Sequence, residues 1–211
     1  MSSELGRALD QIADLVVARA AELNELDGFA GDGDLGITVI NVAAAIHETL
    51  DAASGQSQDE LLKAVGMGIA RRAASTGGTL IATAFLRASG AEPAGSPLAQ
   101  VAIAVRRGTD GIRGRGKAEL GEKTMLDVLY PVCDELDAGV ASGRALAEGL
   151  RHAAETARRA ADATAELVPR RGRAGWLADR SAGHPDAGGK LVQFAFEAAA
   201  QVVAATEVEE K

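Results

Sequence analysis

The chain has 211 residues and a formal net charge of -8, which excludes a basic nucleic-acid footprint spread over its surface and requires any anion to be bound locally. Aromatics make up only 3% of residues, too few for stacking platforms along a single strand. The single cysteine, Cys133, excludes a disulfide framework, no basic region leads into an apolar stretch at the N-terminus, and no apolar segment approaches membrane length, so a soluble cytoplasmic protein forming one domain over 1–211 is expected.

Apolar residues recur at helical spacing and alternating β-branched runs are absent, which makes the expected class all-α. A first helix carries Leu5, Leu9, Ile12, Leu15, Val16 and Leu23 on one stripe and stops at an Asp27-Gly28 turn. A second begins after Gly36 with Val39, Ile40, Ala43 and Ile46 and ends near Ser54-Gly55. Ser57-Gln-Asp-Glu60 has the form of a capping box and opens a third through Leu61, Leu62, Val65 and Ile69. A fourth follows Gly77-Gly78, and after a turn at Pro93 and Pro97 a fifth continues with Leu98, Val101, Ile103 and Val105.

Gly108, Gly111, Gly114, Gly116 and Gly121 then predict a break into a basic loop, Ile112-Arg-Gly-Arg-Gly-Lys117, with a sixth helix opening near Thr124. The stretch 142–168 is alanine-rich, with Leu146, Leu150, Ala153, Ala157 and Ala160 on one side and Arg151, Glu155, Arg158 and Arg159 on the other, a seventh helix of several turns. A second basic, glycine-containing loop follows Pro169 and continues to Gly189, before a last helix with Leu191, Phe194, Ala195, Ala198 and Val202. About eight helices result. In an up-and-down arrangement the connections after odd-numbered helices share one end, which gathers the loops at 27–36, 74–79, 113–124 and 170–189.

The first of these loops carries the chemistry. Leu26-Asp-Gly-Phe-Ala-Gly-Asp-Gly-Asp-Leu-Gly36 places Asp27, Asp32 and Asp34 among glycines. At an effective dielectric of ~20, two carboxylates ~6 Å apart repel by roughly 3 kcal/mol, so such a cluster calls for a cation, and hard oxygen ligands select Mg2+ or Ca2+. Gly31, Gly33 and Gly36 also spell G-x-G-x-x-G, but that fingerprint needs a preceding strand and here a helical pattern precedes it. An EF-hand read from Asp32 wants oxygen ligands where Gly36 and Ala43 stand. The three histidines, His47, His152 and His184, form no zinc spacing with Cys133. Acids, glycines and cations at one end describe a metal–polyphosphate site: Ser75, Thr76, Gly77, Gly78 and Thr79 offer hydroxyls and free amides to phosphate, and Lys117, Lys123 and Arg180 are cations able to neutralise charge on a transferred group.

Three segments together resemble the L subunit of the dihydroxyacetone kinase family, its nucleotide-binding half. They are the acidic loop, Arg115-Gly-Lys-Ala-Glu-Leu-Gly-Glu-Lys-Thr-Met-Leu-Asp127 and Gly172-Arg-Ala-Gly-Trp-Leu-Ala-Asp-Arg-Ser-Ala-Gly-His-Pro-Asp186. The resemblance implies an antiparallel barrel of eight amphipathic helices that binds ATP or ADP and two Mg2+ ions in loops at one end. It puts Asp27, Asp32 and Asp34 on the metal-ligand aspartates, and Gly77, Gly78 and Thr79 on the phosphate loop. Gly121, Thr124 and Met125 fall on the segment enclosing the nucleotide, and Arg180 and Asp186 on the last nucleotide-side loop, with Arg180 stabilising charge on the γ-phosphoryl group.

The resemblance also implies Mg-dependent phosphorylation of a short ketose, dihydroxyacetone or a tetrulose, held by a separate K-type subunit. The donor is ATP in one branch of the family and a phosphotransferase-system protein acting on bound ADP in the other. No nucleic acid or membrane partner is implied. The family usually has histidine at the place of Leu35 and a phosphate loop closer to Gly-Gly-Ala-Ser-Gly-Pro than Ala74-Ser-Thr-Gly-Gly-Thr79. These departures open the alternative of a nucleotide-binding regulatory module that does not transfer phosphate.

Overall fold

A computed structural model describes residues 3–52, 55–91, 95–170 and 181–209. Among them the elements are helices only: α1 (Glu4–Val17), α2 (Ala20–Ala30), α3 (Leu35–Ala52), α4 (Gln58–Arg72), α5 (Thr76–Ala88), α6 (Pro97–Gly116), α7 (Leu126–Ala141), α8 (Leu146–Ala163), a 3-10 turn (Thr164–Glu166) and α9 (Ala187–Glu209). Both α1 and α2 pack on α3, so together they act as one stave. Each later helix packs on its successor, and α9 returns to α1. The eight staves therefore close into an antiparallel barrel, as expected.

Three apolar clusters line the joints between staves. Leu61, Val65 and Ile69 of α4 meet Val42 and Ile46 of α3; Leu126, Val132 and Leu136 of α7 meet Leu98 of α6 and Ala153, Ala157 and Ala161 of α8; Val16, Leu23 and Val39 meet Leu191 and Phe194 of α9. Fully burying one such Leu, Ile or Val side chain contributes about 1.5–3 kcal/mol. The alanine row at every fourth residue keeps α8 narrow, so it approaches both neighbours without a large side chain between them.

Several boundaries differ from those expected. The first helix breaks at Ala18-Arg19, where Arg19 adopts φ -99° and ψ 6°, its guanidinium lies 3.9 Å from the centre of the Phe194 ring, and it pairs with Glu22. Its second half continues past Asp27 and Gly28 to Ala30, so Asp27 is helical and the acidic turn shrinks to residues 31–34. The expected break at Gly108–Gly116 is absent, because α6 runs to Gly116. A Cβ at Gly108 would stand 3.3 Å from the Ala84 carbonyl oxygen, and one at Gly111 2.6 Å from Arg87 Cγ, so these glycines let α6 lie close on α5 rather than interrupting it. Ser75 caps α5, which places Gly77 and Gly78 inside its first turn. The last helix starts at Ala187, two residues before Gly189. The capping box at Ser57 and Glu60 forms as read.

One further correction concerns apolar length. Within residues 187–208 of α9 an 18-residue window reaches a mean hydropathy of 1.2, long and apolar enough, by length and composition alone, to cross a membrane; here these residues form a stave packed on α8 and α1.

Candidate functional site at the barrel mouth

Because neighbouring staves run antiparallel, the connections after α2, α4, α6 and α8 emerge at one end, and all four contribute to a single cleft of about 680 Å³. Its walls include Asp27 and Phe29 at the end of α2 with Asp32 and Asp34 in the first connection, Ser75 in the second with Thr76 and Gly77 at the start of α5, Lys123, Thr124 and Met125 from the third, and His184 and Asp186 from the fourth.

The three aspartates converge, each offering a carboxylate oxygen within 4.8 Å of the others. The Asp27 carboxylate, on the last turn of α2, accepts from the Asp34 amide at 3.0 Å. Burial pushes its pKa up, and the neighbouring Asp32 and Asp34 charges push it further. A Cβ at Gly31 would stand 2.5 Å from Asp27 Oδ1, so a larger residue there would collide with that carboxylate. Gly33 turns the chain at φ +73°, a conformation glycine adopts without steric penalty. Three hard oxygens drawn together against their own repulsion fit a divalent cation of the Mg2+ type.

Across the cleft the α5 N-terminus is built by Ser75. Its hydroxyl accepts from the Gly78 amide at 3.0 Å and pairs with Thr38 Oγ1 of α3 at 2.8 Å, while its carbonyl takes the Thr79 amide and the Thr79 hydroxyl. The hydroxyls of Ser75 and Thr79 are thus engaged in holding the turn. The Thr76 and Gly77 amides at the start of the helix are left as donors toward an anion. Gly78 and Thr79 are absent from the cleft wall; a Cβ at Gly78 would stand 2.1 Å from the Ala73 carbonyl oxygen.

In the third connection Asp127 is the organiser. Its carboxylate accepts from the Gly121 amide and from the Thr124 amide at 2.8 Å, which places Thr124 and Met125 on the wall and leaves Gly121 as a turn residue behind them. Lys117 closes α6 in a left-handed conformation and does not line the cleft. Lys123 does line it, buried, with its ammonium donating to the Ser181 carbonyl at 2.7 Å.

In the fourth connection the His184 ring stacks on Phe29 with centroids 3.6 Å apart. Asp186 caps α9 by accepting from the Gly189 amide at 2.7 Å, and its own amide donates to Thr164 Oγ1 at 2.8 Å. Burial pushes the Asp186 carboxyl up to about 7, with the Asp127 and Asp27 charges adding and the Gly189 amide and Lys123 opposing. Arg180 lies outside the described residues.

A folded-state pKa raised above its unfolded value adds stability at low pH that is lost as pH rises through it. Asp186→Asn, whose amide oxygen can still accept from Gly189, is therefore expected to raise the melting temperature of the ligand-free protein above pH 7. The gain shrinks as pH falls and is gone by about pH 3, where both states of the wild-type carboxyl are protonated; melting curves across pH 3–8 check this.

A closed barrel of antiparallel helices with an acid-rich, glycine-lined mouth defines a class of helical protein with a cleft built from loops at one end. Comparison with known proteins narrows this class. The model of the DAK2 domain matches residues 29–201, and the ADP-binding subunit DhaL of the PEP-dependent dihydroxyacetone kinase of Escherichia coli is 32% identical over 191 residues, 90% of this chain and 91% of that one. The chain belongs to the DAK2-domain family, that of the dihydroxyacetone kinase L subunits.

It is also 39% identical over 189 residues to the D-erythrulose kinase of Mycolicibacterium smegmatis, covering 87% of this chain and 32% of that enzyme, so it spans about a third of that relative's length. The crystal structure of the dihydroxyacetone kinase of C. freundii shares the fold at a TM-score of 0.75 and 22% identity, over 96% of this chain and 35% of that one.

Proposed function

We propose that this chain, as a single L-type domain, is the nucleotide-binding part of a Mg-dependent kinase for a short ketose such as dihydroxyacetone or a tetrulose. The observation that carries this reading is the meeting of Asp27, Asp32 and Asp34 with the α5 N-terminus in one cleft. The aspartates would hold Mg2+, two ions in this reading, which when bound neutralises phosphate oxygens of ATP or ADP.

The chain's own groups do the rest. The Thr76 and Gly77 amides bind phosphate, Met125 and Thr124 bound the nucleotide's far side, and Asp186 fixes the start of α9 against them. The role expected of Arg180, charge stabilisation on the transferred group, rests on the sequence. The relatives named as ADP-binding subunits support a division of labour in which a K-type partner holds the ketose. The donor in this reading is either ATP or a phosphotransferase-system protein that recharges bound ADP, and the relative named as PTS-dependent speaks for the second.

ADP with Mg2+ at a hundred times its Kd should stabilise the protein by about 2.7 kcal/mol, a rise of roughly 5–10 °C in melting temperature for a chain of this size, and ADP without Mg2+ should do much less. No Mg-dependent shift would sink the reading. Turnover of dihydroxyacetone or a tetrulose after adding a K-type partner separates a kinase from a module that binds without transfer.

A further inference from the structure

Lys123 is a buried lysine, with only 4% of its surface exposed. Its backbone sits in the left-handed region at φ 58°, a conformation that costs a non-glycine residue roughly 1–2 kcal/mol. Removing an ammonium from water is also unfavourable unless acceptors are fixed around it. Two costs at one residue need compensation, and the surroundings supply it: the Lys123 ammonium donates to the main-chain carbonyl of Ser181 at 2.7 Å, Ser181 is itself buried, and the nearby Asp186 carboxyl favours the charged ammonium.

That bond joins the third connection to the fourth, 58 residues further along the chain. Beyond Ser181 the chain turns through the His184 amide, which donates to the Ser181 carbonyl at 3.2 Å, and reaches Asp186, whose amide is held by Thr164. The same short segment is gripped on its other side by Phe29, stacked on His184. Residues 181–186 therefore bridge the Lys123 side of the cleft and the Phe29 side.

We infer that Lys123 is a positioning residue for the nucleotide: its ammonium, fastened to the Ser181 carbonyl, sets residues 181–186 against the cleft instead of binding a phosphate itself. This rests on the nucleotide-binding reading above. A cation serving phosphate would act in proportion to the phosphates present, whereas one that places a wall of the cleft acts on every ligand that touches the wall.

The test measures Kd for ADP and for AMP, each with Mg2+, in wild type, Lys123→Met and Lys123→Gln, together with amide exchange at His184 and Asp186. Methionine fills the space but cannot donate; glutamine donates without charge. Expected in Lys123→Met is a loss of about tenfold or more, equal for ADP and AMP, with faster exchange at His184 and Asp186 and unchanged exchange in the middle of α7. Lys123→Gln is expected to recover most of the affinity for both ligands; if the methionine variant does not fold, a small equal loss for ADP and AMP with faster exchange at His184 and Asp186 in Lys123→Gln supports the inference, and wild-type affinity with wild-type exchange overturns it.

A loss confined to ADP in either variant would overturn the inference in favour of direct phosphate contact. Unchanged affinity for both nucleotides in Lys123→Met would overturn it too. Failure of the wild-type protein to bind either nucleotide is a separate result that removes the nucleotide reading and this inference together.

Discussion

Asp27→Asn should cost at least a hundredfold in affinity for Mg-ADP, about 2.7 kcal/mol, while the ligand-free protein melts at the same temperature as wild type or higher. The two halves of this result come from one geometry. Asp27 lies on the last turn of α2, half-buried, and its ionised form is disfavoured first by burial and then by Asp32 and Asp34. In the ligand-free state its charge is therefore a burden, present above its raised pKa and relieved as pH falls.

Asparagine removes that charge, keeps an oxygen to accept from the Asp34 amide, and turns its other terminal group into a donor facing two carboxylates. What it cannot do is supply the third anionic oxygen, so the cation is held by two charges and a weaker dipole. A gain in apo stability coupled to loss of Mg-dependent nucleotide binding is the signature of a site built for a cation. Isothermal titration with Mg-ADP and melting curves at pH 8 measure both. A variant that melts well below wild type and binds Mg-ADP normally would show Asp27 to be a structural acid.

How much of this was legible in the sequence follows from how local each feature is. The acidic loop, the Ser57 capping box and the alanine row of α8 are written within a few residues of themselves, and helix parity then carries four separated loops to one end without any knowledge of contacts. The glycines of α6 were misread because a breaker and a packing glycine look alike in one dimension. Only the approach of Ala84 and Arg87 on α5 distinguishes them.

The helical setting of Asp27 was missed for a related reason. Gly28 signals a turn locally, but the amide of Gly36 finds its acceptor in Asn24 Oδ1, 12 residues away at 2.6 Å, and that tie fixes the end of α2 against the start of α3. Phe29 on His184 and Lys123 on Ser181 are likewise pairings across the barrel mouth, and no spacing rule within either segment announces them.

Two glycines eight residues apart make the sharpest test of that distinction. At Gly36 a Cβ would stand 2.0 Å from the Ala20 carbonyl oxygen and 2.7 Å from Asn24 Oδ1, and backbone cannot yield as a flexible side chain does. Gly36→Ala must push α3 away from α2, stretch the Asn24 bond and open the turn that carries Asp32 and Asp34. Its expected cost is about 3 kcal/mol or more, read as a lower denaturation midpoint in urea, together with weakened Mg-ADP binding because the acids no longer converge. At Gly28, inside α2 and one residue from Asp27, a Cβ meets nothing within 4 Å. There the same substitution removes only the entropy a glycine loses in a helix, so Gly28→Ala should stabilise the protein by about 0.5–1 kcal/mol. If Gly28 were instead the turn residue its sequence suggests, alanine there would destabilise, so the sign of that one measurement decides between a helix ending at Ala30 and one ending at Asp27.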